Sequence, residues 1–211
     1  MTGTTNETLC GVDRAGTNEP LCGVNRTPGR ESMMEPQGLL HLNIGNGKGK
    51  TTAAAGLALR MAGTGGRVLF GQFLKTAPTG EVAAFGRFGD LVEVVRPPMR
   101  HRTFIWNQTP EQRRETFEDL HAGWLSLATR LSDDGIRLFV FDELLDVVEM
   151  GAVSEDEVVA ALAARHPAAE VVLTGRRAPA GIADAANYIT SMEAVRHPYE
   201  AGVPARRGIE Y

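Results

Sequence analysis

The sequence is poor in cysteine, in aromatic residues and in long apolar runs, and it carries no excess of positive charge. Its 211 residues include two cysteines, Cys10 and Cys22. Both lie in a polar N-terminal stretch, so a disulfide-stapled fold is excluded, and a reducing compartment keeps both as thiols. Two thiols are also an incomplete zinc set. No run approaches the ~20 apolar residues of a spanning helix, and the N-terminus lacks the apolar centre of a signal peptide. A cytoplasmic protein with no membrane partner is expected. The formal net charge of -4 gives no global attraction to nucleic acid. An anionic substrate must therefore be held by local groups. The five histidines, His41, His101, His121, His166 and His197, show no metal-ligand spacing and no Ser or Cys nucleophile partner.

What is present suits one α/β domain: 43% of the residues are hydrophobic and 23% charged, enough for a full core. Residues 1–36 stand apart. They are rich in Thr, Asn, Gly, Glu and Pro without apolar period, which predicts a disordered extension. A near-duplicate runs through it, Thr5-Asn6-Glu7-Thr8-Leu9-Cys10-Gly11-Val12-Asp13-Arg14 and Thr17-Asn18-Glu19-Pro20-Leu21-Cys22-Gly23-Val24-Asn25-Arg26. Two copies this polar bury no core, so no solenoid is implied. Met33 or Met34 is a candidate alternative start. Residues 37–211 form the expected domain.

That domain is organised around Gly45-Asn46-Gly47-Lys48-Gly49-Lys50-Thr51-Thr52. Before it, Leu40, Leu42 and Ile44 alternate with polar residues as in a strand; after it, Ala54, Leu57, Ala58 and Met61 mark a helix face. Strand, glycine loop and helix N-terminus make an anion cradle of backbone N–H groups. Lys50 is placed to reach phosphates and Thr51 to offer its hydroxyl to Mg²⁺. The spacing departs from G-x-x-x-x-G-K-[ST], because Ile44 stands where the first glycine belongs and Gly45 comes one residue late. The loop is compressed.

Ile136 to Phe141 reads as a central parallel strand running into Asp142-Glu143, whose two acids match the Walker B pattern for Mg²⁺. A further strand, Glu170 to Leu173, ends in Thr174-Gly175-Arg176. Arg176 is a candidate triphosphate contact, or a solvated arginine. Thr109-Pro110-Glu111-Gln112 predicts a capped helix start, and the stripe Phe117, Leu120, Trp124, Leu127 and Leu131 puts Trp124 in the core. Between Pro97-Pro98 and that helix, Phe104 and Trp106 sit on a segment without helical period, facing the same way if the backbone is extended. They are either plugs of the sheet edge or a binding pair. Strand and helix alternate throughout, which predicts a P-loop NTPase-like (RecA-like) α/β fold, a mostly parallel sheet with helices on both faces.

These motifs, with Gln72-Phe73-Leu74-Lys75, Thr79-Gly80-Glu81, Phe104-x-Trp106, Asp142-Glu143-Leu144 and the ending His197-Pro198-Tyr199-Glu200-Ala201-Gly202 through Gly208-Ile209-Glu210-Tyr211, resemble the P-loop ATP:corrinoid adenosyltransferases. The resemblance runs from about Gly38 to the C-terminus. It implies that Co(I) of a corrinoid attacks C5′ of ATP and triphosphate leaves, with no general base. It also implies an electron donor for Co(II), a homodimer, and a corrinoid packed on Phe104 and Trp106. Lys50, Thr51 and Glu143 would be catalytic, Gly45 to Thr52 and Arg176 nucleotide-binding, and Thr51, Asp142 and Glu143 the Mg²⁺ ligands. The chain departs from the family's usual pattern at Gly63-Thr64-Gly65, Thr103, Asn107, Asp146, Asn187 and Ser191. Two other classes compete: an NTP hydrolase or kinase, and a nucleotide-dependent corrinoid-binding protein without chemistry.

Overall fold

In the computed structural model, which describes residues 37–210 apart from Thr76, strands β1 (Leu40–Ile44), β2 (Val68–Gln72), β3 (Val92–Val95), β4 (Leu138–Asp142), β5 (Glu170–Thr174) and β6 (Tyr188–Ser191) form one sheet. Its order is β3-β2-β4-β5-β1-β6, and every pairing is parallel. Parallel strands need crossovers, which α1 (Lys50–Gly63), α2 (Gly80–Phe85), α3 (Pro110–Ala128), α4 (Leu144–Glu149), α5 (Glu155–Ala163) and α6 (Ala180–Asp184) supply. The expected P-loop α/β fold is what the chain adopts. The extension expected at residues 1–36 lies outside the described residues.

Strand periodicity sorts the core into two layers. On β4, Leu138 and Val140 pack with Ala54, Ala58 and Ala62 of α1, whereas Phe139 and Phe141 pack with Leu120, Trp124 and Leu127 of α3. The small residues of α1 let that helix lie close to the sheet, and Ala62 rather than Met61 completes its buried face. Trp124 is core as expected, edge-on to Phe141 at 5.5 Å. The predicted capping box of α3 is present, with Thr109 Oγ1 accepting from the Gln112 N–H and the Gln112 side chain accepting from the Thr109 N–H.

Two features bear on function. The polar segment after Lys75 turns into α2 at Gly80. The segment carrying Phe104 and Trp106 is not extended: Ile105–Asn107 forms a 3₁₀ turn. The rings nevertheless face each other, with centroids 4.6 Å apart and planes within 7°. A tight turn brings i and i+2 together by another route.

Candidate functional site

Because all strands are parallel, their carboxyl ends share one edge, where ligands bind in open α/β sheets. The strand order decides what meets there. β5 lies between β1 and β4, so Thr174 stands between the glycine loop and Asp142; register opposes Gln72 to Asp142 across β2 and β4. Gln72, Asp142 and Thr174 are each at most 1% exposed.

The loop follows β1 and is shaped by contact with the chain after β6. The Gly45 N–H donates to Arg176 O at 2.9 Å and the Gly47 N–H to Met192 O at 2.7 Å. A Cβ on Gly47 would lie 2.7 Å from the backbone of Met192 and Glu193, and Gly45 has φ 105°. Glycine is required at both by crowding or conformation. Gly49 caps α1 without a side-chain hydrogen bond, which leaves the helix N-terminal amides available to an anion. The Lys50 ammonium donates to Gly45 O at 2.6 Å and Gly47 O at 2.8 Å, and burial lowers its pKa.

Asp142 is the hub. Its Oδ1 accepts from Thr51 Oγ1 and Thr174 Oγ1, each at 2.8 Å; its Oδ2 accepts from Lys75 Nζ at 2.6 Å and Gln72 Nε2 at 3.4 Å. The Thr174 hydroxyl in turn accepts from the Glu143 N–H at 2.8 Å. A wholly buried carboxylate is tolerable only when so satisfied. Glu143 stands in left-handed conformation at the start of α4. Burial pushes its carboxyl up to about 7, against the pull of Lys75 and with help from Asp142 and Asp146. Asp146, also raised mainly by burial, accepts from the Arg176 N–H at 3.1 Å.

These groups border a cleft of about 490 Å³ that includes the loop, Lys75, Glu81, Glu143 and, from the C-terminal end, Gly208 to Glu210. Lys48 pairs with Glu210 at 3.2 Å. The sequence-predicted residues Gly47 to Thr52 and Glu143 thus border one cleft, Asp142 lies beneath it, and Arg176 joins through its backbone. Sequence reasoning named Gln72, Lys75 and Thr174 only as family motifs and missed the return of Ile209 and Glu210. A polar side chain at the last position of each apolar strand was the available signal for Gln72 and Thr174. The tail's return has no local signature.

Phe104 and Trp106 are not in that cleft. They are 66% and 71% exposed, at the tip of a segment pinned at its ends. Arg100 donates to Asp119 Oδ1 at 2.9 Å, His101 pairs with Glu115 at 2.6 Å and Gln108 Nε2 donates to Thr103 O at 3.0 Å. A second cavity, about 610 Å³, lies at the base of this segment against Gln108, Arg113, Phe117 and His121 of the α3 region. It is the larger, but it touches none of the loop residues, so volume alone does not choose between them.

The family described as ATP:corrinoid adenosyltransferase BtuR/CobO/CobP matches residues 36–211. The corrinoid adenosyltransferase of Pseudomonas aeruginosa is 36% identical over 84% of this chain and 85% of its own length. Corrinoid adenosyltransferase CobA of Salmonella typhimurium is 35% identical over 84% and 87%, and the corrinoid adenosyltransferase of Escherichia coli K12 is 32% identical over the same shares. The chain belongs to the ATP:corrinoid adenosyltransferases. It is an enzyme that transfers the adenosyl group of ATP to a corrinoid in cobalamin synthesis. No helix among the described residues is long and apolar enough to cross a membrane.

Proposed function

We propose that the 490 Å³ cleft binds Mg·ATP and that the Phe104–Trp106 stack receives the corrinoid, so that Co(I) attacks C5′. The cobalt electron pair forms the Co–C bond as the C5′–O5′ bond breaks. Triphosphate leaves with the bond's electrons, and cobalt ends formally as Co(III). Lys50, the amides of Gly45 to Thr52 and Arg176 stabilise the charge growing on the leaving group, and the clamp holds C5′ in line with cobalt. Co(I) is itself the nucleophile, so the protein needs no base.

Thr51, Asp142 and Glu143 fit a magnesium ion. They offer oxygen donors alone, and the Lys75 ammonium already lies among them, so a positive charge is accommodated at that point. No cluster of three His, Cys, Asp or Glu side chains suited to a metal occurs among the described residues. That agrees with an ion that takes one or two carboxylates and completes its shell with water and phosphate oxygens. Bound there, the ion would supply charge neutralisation on the triphosphate.

The carrying observation is the convergence of Lys50, Lys75 and Thr51 on a cleft that, among the described residues, is lined by no histidine, serine or cysteine. One feature favours hydrolysis instead: Glu143, with its raised pKa, could activate water. Family membership stands against that reading. The exposed stack suits a flat apolar macrocycle, and by covering the lower face of the corrin it would exclude the lower axial ligand and bring Co(I) within reach of a cellular electron donor. A cytoplasmic setting and a homodimer complete the proposal; edge strand β6, with all four residues exposed, offers surface for the second copy. An anaerobic assay with Co(I) corrinoid and ATP tests it. Co–C bond formation with stoichiometric triphosphate is expected, and release of phosphate without a Co–C bond would establish the hydrolase.

A further inference from the structure

Lys75 rests where the proposed cation would go. Its ammonium donates to Asp142 Oδ2 at 2.6 Å and Thr51 Oγ1 at 3.0 Å, and lies 4.0 Å from Glu143 Oε1. Those are the three side chains assigned to magnesium. The backbone on both sides of this contact is strained: Leu74, directly before Lys75, has φ 55°, and Glu143 has φ 65°. They are the non-glycine residues with positive φ among those described, and such strain collects where a side chain must be aimed.

We infer that Lys75 is a positioning residue that stands in for the divalent cation. Its ammonium fills the cation position in the nucleotide-free enzyme and moves to the triphosphate when Mg·ATP enters. Charge balance drives the exchange. Asp142 is wholly buried and needs a counter-charge in every state of the enzyme. Lysine suits the task, being a compact charge on a flexible stem. Lys75 is 20% exposed and borders the cleft, so it can withdraw toward an incoming phosphate without crossing the core. Lys50 is otherwise engaged, on Gly45 O and Gly47 O. Cation and triphosphate then bind cooperatively, because the triphosphate both completes the cation's shell and gives Lys75 a new anion. Free metal alone must compete with the ammonium, and its apparent affinity falls by the fraction of time that Lys75 is withdrawn.

The inference rests on the assignment of Thr51, Asp142 and Glu143 to a cation, and Mn²⁺ binding followed by electron paramagnetic resonance separates the two. Without nucleotide, Lys75→Met and Lys75→Gln should bind Mn²⁺ about tenfold more tightly than wild type. With inorganic triphosphate added, the wild type should gain Mn²⁺ affinity strongly and the variants much less. Mn²⁺ should also raise the variants' melting temperature more than the wild type's, which a merely structural lysine would not produce. If triphosphate promotes Mn²⁺ binding in wild type but neither variant gains affinity in its absence, the placeholder role is overturned while the cation site stands. If wild type and variants bind no Mn²⁺ even with triphosphate, the cation assignment itself fails. Should both variants misfold, lysine-selective labelling of wild type read by mass spectrometry decides. Mn²⁺ alone, at saturation, should speed labelling of Lys75, and unchanged labelling overturns the inference.

Discussion

At the tips of β2, β4 and β5, Gln72, Asp142 and Thr174 are buried and bonded to one another. On the segment before α3, Phe104 and Trp106 stack on each other and are mostly exposed. The first region is arranged before any ligand arrives, and dipoles fixed in advance cost no reorganisation when charge develops beside them. The second invests nothing in burial. Its apolar area stands in water, and the segment is anchored mainly at its ends, by Arg100, His101 and Gln108, with Arg113 donating to Ile105 O at 3.4 Å between them. The same chain thus holds one region by internal polar satisfaction and leaves the other as exposed apolar surface, and these are the two regions proposed above for ATP and for the corrinoid. Mutations should separate the two by how they divide between stability and activity.

The largest effect is expected from Lys50→Ala. Losing a charged contact to the triphosphate should cost about 2–4 kcal/mol of transition-state stabilisation, a fall in kcat/KM for ATP of about 30- to 900-fold. Circular dichroism should be unchanged; full activity would remove Lys50 from the clamp. Asp142→Asn should strike stability instead. It turns an amide toward Lys75 in place of the carboxylate that pairs with it, at about 3 kcal/mol, readable in urea unfolding. A loss below half a kcal/mol would mean that the hub is not the organising charge of the edge.

Glu143→Gln has a smaller effect that depends on pH. Burial raises this carboxyl from 4.5 to about 7, so between those values the folded state keeps a proton that the unfolded chain has lost. Stability then falls as pH rises through that window. Wild type should therefore lose on the order of 1 kcal/mol relative to Glu143→Gln between about pH 5 and 7 in the metal-free protein, a value reduced for the partial exposure of the side chain. Parallel melting-temperature profiles for the two proteins would refute the shift.

Phe104→Ala and Trp106→Ala should change stability least, within about 0.5 kcal/mol, because the rings are mostly in water. Their effect belongs to function: transfer starting from Co(II) should suffer far more than transfer from chemically prepared Co(I). Equal loss of both activities together with a lowered melting temperature would make the pair a structural plug and dissolve the contrast between the two regions.

The sequence by itself determined whatever depends on neighbours along the chain. The alternation in Leu40–Ile44 and the glycines and Lys50-Thr51 after it are local patterns, as are the capping box at Thr109 and the apolar run into Asp142-Glu143, so strands, helix starts and the loop could be read directly. The helices α2 and α4 escaped because each is six residues long, less than two full turns and too short to display a period. Only the tertiary structure decided which strand tips meet. Placing β5 between β1 and β4 sets Thr174 against Asp142 and pairs Gln72 with it from the other side. The same fold delivers Lys75 to Asp142 and returns Glu210 to Lys48. These contacts join residues far apart in sequence, and their energy exists only once the sheet has assembled and excluded water from its edge, so no stretch of the chain carries them alone.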